Sequence, residues 1–163
     1  CVDYSNDRTV VLMYLSEIPR YRDVVMERIC KCDAIIDLIR PEDQPNMKAS
    51  DMAYKYIFPY DYIVDKTTEV GSYLCFDVAA PRIIDHAFSD FRIYFWIISH
   101  ERAMRTPKGL VTDLLSCEVD KLMNGSREFG LGRVELMGWD RFTPADDFHG
   151  RSLTYRTVDF NRE

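Results

Sequence analysis

The run Arg92-Ile93-Tyr94-Phe95-Trp96-Ile97-Ile98-Ser99 constrains this chain more than any other stretch. It is far short of the ~20 apolar residues that span a bilayer. It places large aromatic and β-branched groups at consecutive positions, where a strand open to water on one face would alternate them with polar residues. The run therefore predicts an interior β-strand covered on both faces. The remaining residues must supply the neighbouring strands and the cover.

The chain before this strand changes texture. Over residues 8–40 apolar groups recur at helical steps. Val10, Val11, Tyr14 and Leu15 form one stripe that Pro19 is expected to end, followed by Val24, Val25, Ile29 and then Ile35, Ile36, Ile39. Asp33 is placed to cap a last short helix, with Pro41 as its stop. From residue 54 the pattern turns to period two. Tyr54 to Val64 is predicted as an edge or bulged strand because Pro59 lacks an N–H, Asp65 to Gly71 as a hairpin loop, and Tyr73 to Val78 as the return strand. Residues 79–91, with Pro81 among them, read as irregular.

After the interior strand, Gly109 to Asn124 carries the best helical stripe, Leu110, Val111, Leu114, Leu115, Val119, Leu122 and Met123, with Asn124-Gly125 as its stop. Arg133 to Phe142 and Arg151 to Phe160 then alternate apolar with polar residues, and a loop from Thr143 to Gly150 joins them. No repeat or linker divides the sequence. The expected fold is α+β: a mainly antiparallel sheet of about five strands packed against one long helix, with an N-terminal helical segment. Residues 1–163 are read as a single domain, 1–46 as the helical region and 47–163 as the α+β core.

Apolar residues make up 47% and aromatic residues 13% of the 163, ample for a core. The net charge, 21 minus 27 or −6, argues against broad binding to phosphate backbones. The one basic bias, Glu101 to Lys108, reads as a solvated loop. The five cysteines are odd in number and no secretory leader is expected, since Asp3, Asp7 and Arg8 arrive immediately; reduced thiols in a cytoplasm are the economical expectation.

The residues that could carry chemistry have ordinary structural explanations. Cys30-Lys31-Cys32 has shorter spacing than the C-x₂₋₄-C pairs of zinc sites and no second pair, so two ordinary helix cysteines explain it. His100 and His149 lack a nucleophile at readable spacing, and Ser99-His100-Glu101 cannot form a triad by adjacency, because strand neighbours face opposite ways. Asp77 has no converging carboxylates, and Glu118-Val119-Asp120-Lys121 falls on the wet side of the helix. Gly130-Leu131-Gly132 lacks the third glycine of a dinucleotide loop. No catalytic, cofactor or metal site is expected.

The order of features resembles the tail-terminator (tail-completion, neck) proteins of long-tailed bacteriophages. A helical region precedes a hairpin from Tyr54 to Val78, and a hydrophobic strand gives way to polar residues over Phe91 to Arg102. An amphipathic helix follows over Gly109 to Asn124. The close is a hairpin with Phe142-Thr143-Pro144 in its loop, Gly150-Arg151-Ser152-Leu153-Thr154-Tyr155 entering the last strand, and Val158-Asp159-Phe160-Asn161 ending it. The resemblance implies a virion protein assembled in the host cytoplasm. It would form a ring with copies of itself, a hexamer by expectation, joining the tail tube protein to a neck or connector protein, with DNA only as passing cargo and no membrane. A stopper or adaptor is the nearest alternative; a small hydrolase using Cys/His or carboxylates is the alternative of another class, and a ligand- or peptide-binding module a third.

An argument for assembly also stands on the residues alone. Ten Tyr, nine Phe and two Trp exceed what a small core requires, and such groups are enriched in interface cores. The expected contact residues are Tyr56, Phe58, Tyr60 and Tyr62 of the aromatic stretch, Asp65, Lys66, Thr67, Thr68 and Glu69 of the first loop, and Asp146, Asp147 and Phe148 of the second. An ordinary aromatic strand packed on a helix accounts for the same letters equally well.

Overall fold

The computed structural model describes residues 7–84, 88–127 and 132–160, with side chains over 18–80, 90–127 and 132–157. It is α+β, four helices with a mixed five-stranded sheet. The chain opens with α1 (Asp7–Cys30), α2 (Asp33–Ile39) and α3 (Ala49–Met52), then β1 (Ile57–Phe58), β2 (Ser72–Ile84) and β3 (Phe88–His100). A 3₁₀ turn (Glu101–Ala103) and a two-stranded ribbon, β4 (Arg105–Thr106) with β5 (Gly109–Leu110), lead into α4 (Val111–Met123). The hairpin β6 (Glu135–Ala145) and β7 (Phe148–Phe160) closes it.

The sheet runs β1-β2-β3-β7-β6. The predicted interior strand is β3, paired antiparallel to β2 on one side and to β7 on the other. Its extent is greater than the apolar run, because β2 and β3 continue through the stretch expected to be irregular. A register shift between Ala79 and Arg82 absorbs Pro81, as a bulge accommodates a residue with no N–H to donate; residues 85–87 lie outside the described part.

The expectation that β3 is covered on both faces holds only at its end. Phe91, Ile93, Phe95 and Ile97 are buried; on the opposite face Arg92, Tyr94 and Trp96 are half-buried and Ile98 is buried. The buried face continues through Leu74, Phe76 and Val78 of β2 and Leu153 and Tyr155 of β7, and the helices cover it. Burying a side chain the size of Phe or Ile contributes about 1.5–3 kcal/mol, so this layer dominates stability.

The cover is not one long helix. From α1 come Tyr21, Val25 and Ile29, from α2 Ile35, Ile36 and Ile39, and from α4 Val111, Leu115, Val119 and Met123, all in one core. α1 runs through Pro19, where the sequence predicted an end. Proline forfeits one helical hydrogen bond, and the packing of Tyr21, Val25 and Ile29 after it supplies the compensation. Asp33 is the first residue of α2 and not its cap, which is Cys32 with no side-chain hydrogen bond. α4 ends as expected, with Gly125 at φ 77° past the cap Asn124.

Two hairpin expectations also change. Tyr54 to Val64 does not pair antiparallel with the strand after it; only Ile57 and Phe58 join the sheet, parallel to Leu74 and Cys75. The loop expected over Thr143 to Gly150 contracts to Asp146-Asp147, since β6 extends to Ala145 and β7 begins at Phe148. The basic stretch Glu101 to Lys108 is a 3₁₀ turn and a ribbon strand. Gly130 and Leu131 fall outside the described residues.

Candidate interaction surface

The aromatic stretch is shaped by its own backbone. Tyr54 adopts φ 61°, a left-handed conformation uncommon for a bulky residue, and its N–H donates to the Ile57 carbonyl at 2.8 Å. The Tyr56 carbonyl accepts from the Leu74 N–H at 2.9 Å, and Pro59 then ends the ladder. Residues 60–64 fold across the half-open face of the sheet. Phe58 and Tyr62 stack at 4.2 Å with 5° between their planes, and Tyr62 lies 5.8 Å from Tyr73. Arg22 of α1 fastens this turn from below, donating to the Pro59 carbonyl and, at 2.5 Å, to Asp77 Oδ1.

Residues 65–71 are braced internally. Asp65 Oδ1 accepts from the Thr67 N–H at 2.7 Å and the Thr67 hydroxyl at 2.6 Å, while Thr68 Oγ1 accepts from the Asp65 N–H at 2.9 Å. The Thr67 side-chain hydrogen bond, joined by that residue's N–H, holds the Asp65 carboxyl below the usual carboxylate range. The Tyr73 hydroxyl donates to the Glu69 carbonyl at 2.8 Å. This loop has the geometry of an Asx turn, which competes with extended structure.

The two loops that the sequence named as contact elements meet in space. Lys66 Nζ lies 3.8 Å from Asp146 Oδ2. The chain at the end of β3 joins them, as the His100 N–H donates to the Gly71 carbonyl and the Glu101 N–H to the Asp147 carbonyl, each at 3.0 Å. His100 packs edge-on against Phe148 at 4.9 Å, and its Nδ1 accepts from the Arg102 N–H at 3.1 Å. Its ring therefore ties the surface together.

Not every expected contact residue reaches this surface. Tyr56, Phe58 and Phe148 are core residues, 3%, 5% and 2% exposed, and pack under the surface as its floor. Tyr60, Asp65, Lys66, Thr67, Glu69, Asp146 and Asp147 are exposed, and Tyr62 and Thr68 half-buried. Sequence reasoning missed Ile63, 83% exposed, and Tyr54, 65% exposed. Ile63 stands between two shallow depressions. One, of about 420 Å³, is bordered by Tyr54, Phe58, Tyr62 and Thr67; the other, of about 320 Å³, by Trp96, Ile98, Phe142 and Pro144. The available signal was Pro59, which takes the residues after it out of the sheet and so frees Ile63 from the inward-outward alternation.

The groups weighed for chemistry have structural surroundings. Burial raises the Cys30 thiol, and burial pushes Cys75 up to about 12, the opposite of an activated nucleophile. Ser99 hydrogen-bonds Ser72 across the strands at 2.9 Å. Asp120, assigned to the wet side of its helix, in fact accepts from the buried Tyr155 hydroxyl at 3.0 Å. His149 is exposed on β7, not in a loop. Among the described residues no group of three or more His, Cys, Asp or Glu is placed to hold a metal ion.

The family model described as YomW matches residues 27–157, and the chain belongs to that family. The family name is phage-derived, of SPbeta type, which is compatible with a phage protein and not specific to a tail terminator. No curated protein matches the chain.

Proposed function

We propose that this YomW-family protein is a structural virion subunit, a tail-terminator-like ring component that joins a tail tube to the head–neck connector. The observation that carries the reading is the convergence, at one end of the sheet, of both loops with an exposed apolar knob, Ile63, which borders one depression with Tyr54. Exposed large apolar groups collected on a braced surface mark protein–protein contact. A second group of exposed apolar residues lies further along β6. Leu136, Met137 and Trp139 of the edge strand β6 are 37%, 59% and 49% exposed, which suits contact between neighbouring copies. The register shift between Leu136 and Gly138 favours side-chain packing there over continuous strand pairing. In such a ring the acidic chain leaves DNA free to pass.

The test is light scattering on the purified chain up to millimolar concentration, with electron microscopy of particles carrying a tagged copy. A ring in solution, or label at the junction of tail and neck, is the expected result. Label elsewhere in the neck would indicate a stopper or adaptor. A strictly monomeric chain that is absent from particles would refute the proposal, and turnover of a small metabolite by that monomer would establish the hydrolase reading.

A further inference from the structure

The loop-end surface carries a charge as distinctive as its apolar knob. Segments 54–71, 100–102 and 146–147 expose Asp61, Asp65, Glu69, Glu101, Asp146 and Asp147 against Lys55, Lys66 and Arg102. Six negative and three positive groups leave −3 on these three segments; the whole chain carries −6. Lys66 is already engaged by Asp146. Ile63 sits beside the depression walled by Trp96 and Phe142, and Asp61, Asp65 and Glu69 border the two depressions that it separates. That arrangement is an interface core with a charged edge.

We infer that this surface docks a different protein, one presenting an apolar side chain ringed by Lys and Arg, and that it is not the contact between copies of the chain. The inference rests on the assembly reading above and names the chemistry of one partner. Charge complementarity decides between the occupants. A second copy using the same surface would bring two patches of −3 face to face, a juxtaposition that opposes association. A basic rim would be attracted, and more strongly as salt falls. The surface is already formed: the Phe58–Tyr62 stack and the Asp65 turn fix the base of Ile63, so little ordering is needed on binding.

The experiment selects a displayed random-peptide library on the purified full-length chain. The expected enriched peptides carry an aliphatic or aromatic residue flanked by Lys or Arg. Ile63→Asp weakens their binding at least tenfold, Asp146→Lys/Asp147→Lys weakens it severalfold, and raising salt from 0.05 to 0.5 M does so for the unmodified chain. Both variants change only exposed side chains, and their melting curves verify that they fold. No enrichment, enrichment of neutral or acidic peptides, or binding insensitive to Ile63→Asp would overturn the inference. So would a change in the chain's own oligomeric mass on Ile63→Asp, which would assign the surface to a second copy. The ring reading fails separately, if the unmodified chain neither assembles nor appears in particles.

Discussion

Gly150 lies in β7 opposite both Ile98 of β3 and Phe142 of β6, and the Phe142 ring lies against its Cα. Gly150→Ala adds a methyl group that would stand 2.7 Å from Phe142 Cζ and 2.7 Å from the Ile97 carbonyl oxygen, well inside the ordinary 3.4–4 Å of van der Waals contact. The two obstacles differ in kind. The half-buried ring can turn aside; the carbonyl belongs to the central strand and cannot move without disturbing its ladder. Overpacking of this kind costs about 1–3 kcal/mol. At about 2–4 °C per kcal/mol for a domain of this size, melting falls by about 2–12 °C. Urea unfolding followed by circular dichroism measures the loss, with an unchanged m-value indicating an intact fold. Phe142→Leu tests the ring's share. If the ring is a main obstacle, the double variant loses less than the sum of the singles by at least about 0.5 kcal/mol. A Gly150→Ala chain within about 0.5 kcal/mol of the original would refute the reasoning, and full additivity would assign the whole cost to the Ile97 carbonyl.

Three further outcomes follow from buried polar groups. Thr157 Oγ1 is buried without a hydrogen-bond partner among the described residues, so Thr157→Val should stabilise the chain by about 1 kcal/mol; a loss of stability in denaturant would contradict this. Arg22→Ala removes the donor shared by Pro59 and Asp77 and should cost about 1–2 kcal/mol, with faster amide exchange over residues 59–64 as its particular signature. At alkaline pH the folded chain holds the Cys75 proton from the ordinary 9.0 up to about 12, while the unfolded chain loses it. The unfolded state thus binds fewer protons, and stability present below pH 9 is lost towards pH 12 at about 1.4 kcal/mol per unit. Tyr73 and Tyr155, also raised by burial, add to the same limb at higher pH. Cys75→Ala should reduce that slope by about one proton's worth between pH 9 and 12 in pH-dependent urea titrations, and an unchanged slope would count against the burial.

The residues alone determined where regular structure forms around strong periodic patterns. The run from Arg92 to Ser99 had to be an interior strand, because only a paired strand satisfies its backbone while burying Ile93, Phe95 and Ile97. Leu115, Val119 and Met123 likewise had to face a core at helical spacing. Loop residues with local hydrogen-bonding capacity, Asp65 to Thr68, were legible for the same reason: their bonds close within four positions. Tertiary structure decided everything that depends on distant partners. Pro19 sits inside a helix because Tyr21, Val25 and Ile29 after it are held in the core, and the aromatic stretch gives one short parallel contact on the outer edge of β2 because Pro59 ends the ladder there. Tyr56, Phe58 and Phe148 became floor while Ile63 became surface. That exchange is invisible to period and propensity, since it is set by which backbone edge Pro59 leaves open and by what already occupies the other face of Tyr73.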